Sequence, residues 1–327
     1  MARDGAPAGG QHRHTFSDRP GAGRRNPIGD HCAALARRHN RVQRVPSDRS
    51  MKRASTKGVL RLGGVELELG EVTYVMGVIN LSPESKNAHT VATTIDEAVA
   101  LARQYRQWGA TIIDLGGQSS HYDNPTIDSS LELERLLPVV DALLTDGFLV
   151  SVDTWKPDVA REAGRRGVQM INDTGGLVDL EMRKVVSLSQ AAVVAVYVEG
   201  DHPHAVGTID TGPRKAARTA DVFRLRLKEL AAEGIENVVL DPGIALNYRG
   251  DYQAYTRLQM EVIRESAALH ELGKPVLIPI PRKAEDHRVM AYITLALEYG
   301  ADIIRVHDVE EAADLVSLFG RTARAPA

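Results

Sequence analysis

A strand–helix–strand pattern in residues 148–173 constrains the fold more than any other feature of the sequence. Two short apolar runs, residues 148–152 and 168–171, are each too short to form a helix. Between them, residues 157–166 carry apolar side chains at helical spacing, and Pro157 suits the first turn of a helix. A connection of this kind joins neighbouring strands that run parallel. The pattern therefore predicts one unit of a parallel α/β sheet.

The same strand–helix pattern recurs along the body of the chain. Strands are predicted at residues 73–80, 111–115, 148–152, 168–171, 192–198, 237–240, 275–280 and 302–306. Helices are predicted at residues 94–109, 129–144, 157–166, 180–189, 219–232, 253–272, 284–299 and 309–319. Eight units in about 250 residues match a closed (β/α)8 barrel, so we predict an α/β fold of the TIM-barrel type. A doubly wound open sheet is the alternative, but it usually carries a glycine-rich phosphate fingerprint that this sequence lacks.

Two further segments are predicted before the first barrel strand. Residues 58–69 alternate apolar and polar side chains around Gly63 and Gly64, which predicts a short β-hairpin. Residues 1–57 hold thirteen basic and four acidic residues without periodicity, which predicts a disordered basic leader. We therefore expect the folded domain at residues 58–327.

Composition excludes several classes of partner. Outside the leader the net charge is −12, so we expect no nucleic-acid partner. No apolar run approaches the roughly 20 residues that span a bilayer, so we expect no membrane partner either. Cys32 is the only cysteine, which excludes an intramolecular disulfide and a cysteine-based metal site. This cysteine usage is typical of a cytoplasmic protein.

Polar side chains stand at the carboxyl ends of the predicted strands. The set comprises Asn80, Asp114, Asp153, Asn172, Tyr197, Asp241, Arg282 with Lys283, and Arg305 with His307. Barrels of this type build their active sites from these strand ends. Carboxylates and amides suit a flat heterocycle with amino, imino and carbonyl groups. The cations Lys283, Arg305 and His307 instead suit a phosphate group.

Some of these polar residues also have purely structural interpretations. Asp308 fits a helix-capping pattern, and Asp241 followed by Pro-Gly is a turn signature. Tyr197 can pack on neighbouring strands as an ordinary aromatic residue. His202 and His204 lie in a polar loop, where we expect solvated side chains.

Seven motifs in order along the chain carry a resemblance to a known family. They are MGVINLSPES (76–85), IIDLGGQSS (112–120), VSVDT (150–154), IND (171–173), LDPGI (240–244), PRK (281–283) and RVHD (305–308). From residue 75 to residue 319 the chain resembles dihydropteroate synthase, the folate-pathway member of the pterin-binding barrel family. The resemblance implies a transferase that condenses 6-hydroxymethyl-dihydropterin pyrophosphate with p-aminobenzoate, or a related amine, to dihydropteroate and pyrophosphate.

The resemblance also implies a role for each strand-end residue. The residues implied to bind the substrate are Asp114, Asp153, Asn172, Asp241, Lys283 and Ser120. Those implied to hold pyrophosphate are Asn80, Arg305 and His307, with Mg²⁺ as cofactor near Asn80. Catalytic roles fall to Lys283, Asp153, Arg305 and His307. Members of this family are often dimers, which implies a homodimer here.

The departures from the family pattern fall in the loops. Glu84 replaces an aspartate, Lys86 an aromatic residue and Pro281 a serine, while residues 116–122 lack the usual glutamate and arginine. Tyr197 stands where the family usually has a histidine, but the implied pterin and anion residues are kept, so the departures concern the second substrate more than the first. Two alternative functions therefore stay open, a pterin-binding homologue without synthase activity and a methyltransferase that uses methyltetrahydrofolate. The cationic strand ends argue against the methyltransferase, whose methyl donor carries no pyrophosphate.

Overall fold

The computed structural model describes most of the predicted domain. The described residues are 55–85, 87–281 and 286–322. Most of the predicted leader lies outside them, as do Lys86, Arg282 and Lys283. Thr56, which the prediction assigned to the leader, is buried, and its hydroxyl donates a hydrogen bond of 2.9 Å to the Lys274 carbonyl.

Ten strands form a two-stranded sheet and an eight-stranded sheet in the described part of the chain. They are β1 (Gly58–Leu62), β2 (Val65–Leu69), β3 (Tyr74–Asn80), β4 (Ala110–Gly116), β5 (Leu149–Asp153), β6 (Met170–Asp173), β7 (Ala192–Val196), β8 (Val238–Asp241), β9 (Leu277–Pro279) and β10 (Ile303–Val306). The larger sheet is parallel, in the order β8-β7-β6-β5-β4-β3-β10-β9. A parallel bridge between Leu240 and Val276 joins β8 to β9, so the barrel is nearly closed. The predicted (β/α)8 barrel is confirmed.

Helices alternate with these strands. They are α1 (Ile95–Trp108), α2 (Ser129–Thr145), α3 (Pro157–Arg165), α4 (Leu180–Leu188), α5 (Lys215–Ala232), α6 (Tyr252–Arg264), α7 (Ala267–His270), α8 (Asp286–Glu298) and α9 (Val309–Leu318). Helix α1 begins with a capping box of Thr94 and Glu97, and Gly109 ends it with φ of 115°. None of the described helices combines the length and apolar character needed to cross a bilayer.

Two helix boundaries differ from the sequence prediction. Helix α5 begins four residues early because Arg214 takes a left-handed conformation and the side chain of Lys215 is buried. The single helix predicted at residues 253–272 is divided into α6 and α7. The division falls at Ser266, whose backbone N–H donates to the Ile263 carbonyl and whose hydroxyl donates to the Tyr299 carbonyl.

The hairpin of β1 and β2 closes one end of the barrel. Leu60, Leu62 and Leu67 are buried and pack with the apolar side chains of the barrel interior. Tyr74 fixes the hairpin from the barrel side, since its hydroxyl donates a 2.8 Å hydrogen bond to the Glu68 carbonyl. Because Tyr74 begins β3, the hairpin lies at the amino ends of the barrel strands.

Strand alternation links this apolar interior to the polar strand ends. Every second side chain of a barrel strand points inward, so the residue two places after an interior apolar residue is also inward. The apolar and polar members of such pairs are Ile112 and Asp114 on β4, Met170 and Asn172 on β6, Val239 and Asp241 on β8, and Ile303 and Arg305 on β10. The polar residues thus form the uppermost layer of the barrel interior, at the carboxyl ends of the strands.

If the hairpin supplies part of the core, Leu62→Ala should lower the free energy of unfolding by about 2–5 kcal/mol, because it leaves a cavity among buried side chains. Urea denaturation measured by circular dichroism tests this. Val59→Ala is the matched control, since Val59 lies on the same strand with 39% of its surface exposed. An equal, small loss for both variants would contradict a plugged barrel.

Candidate active site

Two connected cavities open at the carboxyl ends of the barrel strands. The outer cavity has a volume of about 550 Å³. Its lining comprises Asn80, Ser85, Asn87, Gly116, Gln118, Ser119, Ser120, His121, Asp153, Ala245, Asn247, Ile280, Arg305 and His307. The inner cavity has a volume of about 40 Å³, and its polar lining includes Ser120, Asp153, Asn172, Thr174, Asp241 and Arg305. Ser120, Asp153 and Arg305 line both cavities, so a single ligand can occupy them together.

Arg305 joins two carboxylates at the centre of the site. Its Nε donates to Asp114 Oδ2 and its Nη2 donates to Asp153 Oδ2, each at 2.7 Å. Asp114 has no exposed surface and lines neither cavity, so in this structure it lies beneath the guanidinium. Burial alone would lower the pKa of Arg305, but the charges of Asp114 and Asp153 raise the pKa above its ordinary value. Arg305 therefore stays charged at any physiological pH.

Two buried acceptor oxygens near this ion pair have no hydrogen-bond partner among the described residues. They are Asp114 Oδ1 and Asn172 Oδ1. The other end of the Asn172 amide is held, because its Nδ2 donates to Asp114 Oδ2 at 3.3 Å. Native proteins rarely leave buried acceptors unpaired, since each costs about 1–3 kcal/mol. The site thus offers two acceptors to the donors of a ligand.

Burial raises the pKa values of the carboxyl groups that line the inner cavity. Burial raises the pKa of Asp241 to about 7, although the Gly243 N–H, at 2.7 Å, and Arg305 pull it down. Burial also raises the pKa of Asp153, against the opposing charge of Arg305 and with a further upward contribution from Asp114. One guanidinium therefore faces three carboxyl groups, of which Asp114 and Asp241 are buried and Asp153 is partly exposed to the cavities. A ligand with several N–H donors would stabilise the excess negative charge of these carboxyl groups.

The remaining strand-end residues gather on the other side of the outer cavity. Asn80 Nδ2 donates to Thr90 Oγ1 at 2.7 Å. His307 lies 3.0 Å from Asn87 Nδ2 through Nε2, and 3.4 Å from Thr90 Oγ1 through Nδ1. Asn80, Arg305 and His307 thus face one space, as expected for an anion site. Lys283, the fourth residue expected there, lies outside the described residues.

Two strand-end residues take structural roles. Tyr197 lines neither cavity; its hydroxyl donates to Glu199 at 3.1 Å, and buried Lys215 forms an ion pair with the same carboxylate. Asp308 makes no side-chain capping bond to α9 but forms an ion pair with His89 at 3.4 Å. Asp308 therefore occupies the N-cap position that the capping pattern predicts, but its side chain pairs with His89 instead of closing the helix terminus.

Residues 76–307, which include all of these strand ends, match the sequence profile of a family described as pterin binding enzyme. The chain belongs to the pterin-binding enzyme family.

Three relatives refine this assignment. The folate synthesis bifunctional protein of Arabidopsis thaliana is 31% identical over 285 residues, which cover 80% of this chain but only 59% of that protein. The dihydropteroate synthase of Burkholderia cenocepacia, complexed with 7,8-dihydropteroate, has a TM-score of 0.67 at 26% identity and covers 81% of this chain and 96% of its own. That of Thermus thermophilus, in complex with 4-aminobenzoate, has a TM-score of 0.66 at 28% identity, with coverages of 80% and 99%. The resemblance to the dihydropteroate synthase type is confirmed.

The loop after β3, the first loop, is fixed to helix α2 by Glu84, which departs from the family pattern. The loop after β4, residues 117–122, is the second loop. Glu84 accepts hydrogen bonds from Arg135 Nη1 and Nη2 at 3.2 and 3.1 Å, and from Ser82 Oγ at 2.7 Å. Arg135 Nη1 also donates to the Gly117 carbonyl of the second loop at 3.0 Å. Arg135 therefore donates hydrogen bonds to both loops. The sequence motif gave no signal for this contact, which spans 51 residues.

A second departure, Gln118, is held by a buried ion pair. Lys156 Nζ donates to Gln118 Oε1 at 2.6 Å and to Glu132 Oε2 at 2.7 Å. Glu132 is 2% exposed, so its carboxylate balances Lys156 without the help of a charge at position 118. Gln118 therefore fixes the second loop as a neutral residue. Its Nε2 is buried and has no hydrogen-bond partner among the described residues.

The prediction that His202 and His204 are solvated was wrong. His202 stacks on Trp155, with ring centroids 5.8 Å apart and an angle of 4° between the ring planes. His204 contacts the second loop, with Nε2 at 2.8 Å from the Ser119 carbonyl and Nδ1 at 2.9 Å from Thr126 Oγ1. The long loop after β7 therefore packs over the second loop instead of extending into solvent.

The buried carboxyl groups give a test that needs no ligand. A carboxyl group whose folded pKa is raised binds its proton more tightly in the folded state. The stability of the wild type should therefore decrease as the pH rises from about 4 to about 7. Asp241→Asn removes this titration while keeping an acceptor for the Gly243 N–H. The variant should therefore be more stable than the wild type by about 1–3 kcal/mol at pH 8, with less advantage at pH 5. Thermal melts across this pH range measure the difference.

Asp221→Asn is the control for this prediction, because its carboxylate is 73% exposed. Its effect should be small and should not depend on pH. A destabilised Asp241→Asn protein at pH 8 would mean that the carboxylate stabilises the fold.

Proposed function

We propose that the protein is a transferase of the dihydropteroate synthase type, which joins a dihydropterin, activated as its pyrophosphate, to an aryl amine. The two unpaired acceptors, Asp114 Oδ1 and Asn172 Oδ1, carry the proposal. A pterin has an amino group and ring N–H groups that would supply the missing donors. The ligands named for the two similar structures, 7,8-dihydropteroate and 4-aminobenzoate, support the same pair of substrates.

The inner cavity would bind the pterin through its carboxylates. A carboxylate binds an N–C–N edge through two parallel hydrogen bonds. The guanidinium of Arg305 presents such an edge to Asp114 and Asp153 in this structure. The pterin edge would compete with Arg305 for these carboxylates. A pterin that takes over Asp153 would release part of the guanidinium toward the pyrophosphate.

In the proposed reaction the bond between the pterin methylene carbon and the pyrophosphate oxygen breaks, and its electron pair leaves with pyrophosphate. The amine nitrogen attacks the same carbon and then releases a proton to solvent through the open outer cavity. Arg305, His307 and Asn80 would hold the departing anion, and Lys283 would assist from the strand end after β9. Oriented cations and N–H donors at such a site stabilise the charge that develops in the transition state.

Magnesium would enter this site with the pyrophosphate. No group of three or more His, Cys, Asp and Glu side chains is arranged to hold a metal within the described residues. Mg²⁺ needs no such cage, since it is often bound by one or two protein oxygens together with substrate phosphates. Asn80 fits that role because its Nδ2 donates to Thr90, which leaves the amide oxygen as the group that would bind the cation. The ion would neutralise charge on the leaving group.

The expected compartment and assembly complete the proposal. We infer a cytoplasmic protein, because its single cysteine suits a reducing compartment. We also infer a homodimer, from the family resemblance alone.

A pyrophosphate-release assay tests the reaction. Release should require dihydropterin pyrophosphate, Mg²⁺ and p-aminobenzoate together. Arg305→Lys should lower kcat/KM by about 10²–10³-fold, because lysine cannot form both charge-assisted bonds at once. Arg257→Lys, on the exposed surface of α6, is the matched control.

Calorimetry with the pterin pyrophosphate separates the alternatives. Binding without release, with every amine tried, would favour a pterin-binding homologue that lacks synthase activity. Absence of binding would contradict a pterin site, and transfer from methyltetrahydrofolate would favour the methyltransferase.

Pterin affinity should also depend on pH. The N–H donors of a pterin need ionised acceptors, and Asp241 loses its charge below a pKa of about 7. The affinity should therefore fall about tenfold between pH 8 and pH 6, in proportion to the ionised fraction. Calorimetry with the pterin alone measures this without turnover. An affinity that rises as the pH falls would mean that the protonated carboxyl is the binding form.

A further inference from the structure

A third cavity adjoins the outer cavity and has no role in the reaction described above. This side cavity has a volume of about 350 Å³. It shares His121 and Asn247 with the outer cavity, so the two cavities adjoin at these residues. Its remaining lining includes Tyr122, Tyr248, Arg249, Asp251, Tyr252 and Tyr255. The outer cavity alone is of ordinary size for a small-molecule site.

The walls of the side cavity are aromatic, and their rings are held in place. Tyr122 packs on His121, with ring centroids 4.8 Å apart. Tyr248 and Tyr255 form an edge-to-face pair at 5.7 Å. Tyr252 accepts a hydrogen bond of 2.6 Å from Arg288 Nη1. Fixed aromatic walls bind flat or apolar parts of a ligand at little entropic cost.

Arg249 supplies this cavity with a cation. Its guanidinium lies over the Tyr122 ring, 4.3 Å from the ring centroid. Its backbone is fixed by the bridge to Thr208 and by a hydrogen bond of 3.1 Å from its N–H to the Gly207 carbonyl. Its ion pair with Asp123 is long, at 3.9 Å, and both side chains are more than 60% exposed. Such a pair contributes little, so a ligand carboxylate can replace Asp123.

The carboxylate within the cavity lining is engaged at a helix terminus. Asp251 is the N-cap of α6, and its Oδ1 accepts hydrogen bonds from the Gln253 and Ala254 N–H groups. Those bonds lower its pKa, and the positive end of the helix dipole offsets part of its charge. Arg249 is thus the group to which a ligand anion would bind bidentately.

We propose that the side cavity selects the second substrate of the proposed transferase, an aryl amine whose ring carries an arm that ends in a carboxylate. The amine and its ring would occupy the outer cavity beside the pterin. The arm would pass between His121 and Asn247, and its carboxylate would meet Arg249. The proposal rests on the proposed function, because it assigns the acceptor of the same reaction. It gives a use to the region where the loops depart from the family pattern.

Three acceptors test the proposal in the pyrophosphate-release assay. They are p-aminobenzoate, p-aminobenzoyl-glycine, which adds a short arm with a carboxylate, and the neutral amide of p-aminobenzoyl-glycine. The wild type should prefer p-aminobenzoyl-glycine to its neutral amide by about tenfold in kcat/KM, as expected for one charge-assisted contact. Arg249→Ala should abolish this preference, and Arg249→Lys should restore part of it.

Arg257→Ala is the control, because Arg257 is an exposed arginine of α6 outside the side-cavity lining. It should leave the preference unchanged. If p-aminobenzoate reacts but Arg249→Ala does not change the ratio for the armed acceptors, the side cavity is not an acceptor site and the proposed function stands.

A binding measurement keeps the proposal testable if no acceptor reacts. Calorimetry with p-aminobenzoyl-glycine, in the presence of pterin, pyrophosphate and Mg²⁺, should show binding about tenfold weaker in Arg249→Ala than in the wild type. Equal affinities, or no binding to the wild type, would overturn the proposal. No release with any acceptor, together with the expected loss of affinity, would reject the synthase activity and leave the amine site in place.

Discussion

Three carboxyl groups, two of them buried, share one guanidinium at the carboxyl end of the barrel, and the organisation of the site depends on this imbalance. Asp114 and Asp153 are joined by Arg305, while Asp241 accepts its hydrogen bond from the turn that follows β8. Removing these charged groups from water costs folding free energy when no ligand is bound. It is a polar surface prepared for N–H donors, and its cost is offset by the apolar barrel interior below it.

Much of this site follows from the sequence because strand alternation is a local property. Once a strand is assigned, the residue two places beyond its interior apolar side chain must point into the barrel. Asn172 and Asp241 could be predicted on this basis, and the structure places both at the inner cavity. The number of strand–helix units then determined the closed barrel, since eight parallel strands bring those ends to one face.

The contacts that shape the loops could not be predicted in this way. Glu84 meets Arg135 across 51 residues, and Lys156 meets Glu132 across 24. Each of these residues alone is compatible with a solvated surface position. The loop histidines were misjudged for the same reason, since their partner Trp155 follows a different strand. Local patterns predict which side chains point inward, but they do not predict which distant side chains meet.

The hairpin of β1 and β2 has a consequence for the order of events at the opposite end. Because Leu60 and Leu62 fill the barrel at the amino ends of the strands, the inner cavity has its opening on the side of the outer cavity. The barrel interior is thus closed at the amino ends of the strands and open at their carboxyl ends. A ligand of the inner cavity therefore has to enter past the lining of the outer cavity. The architecture thereby favours binding of the inner ligand before a second ligand fills the outer cavity.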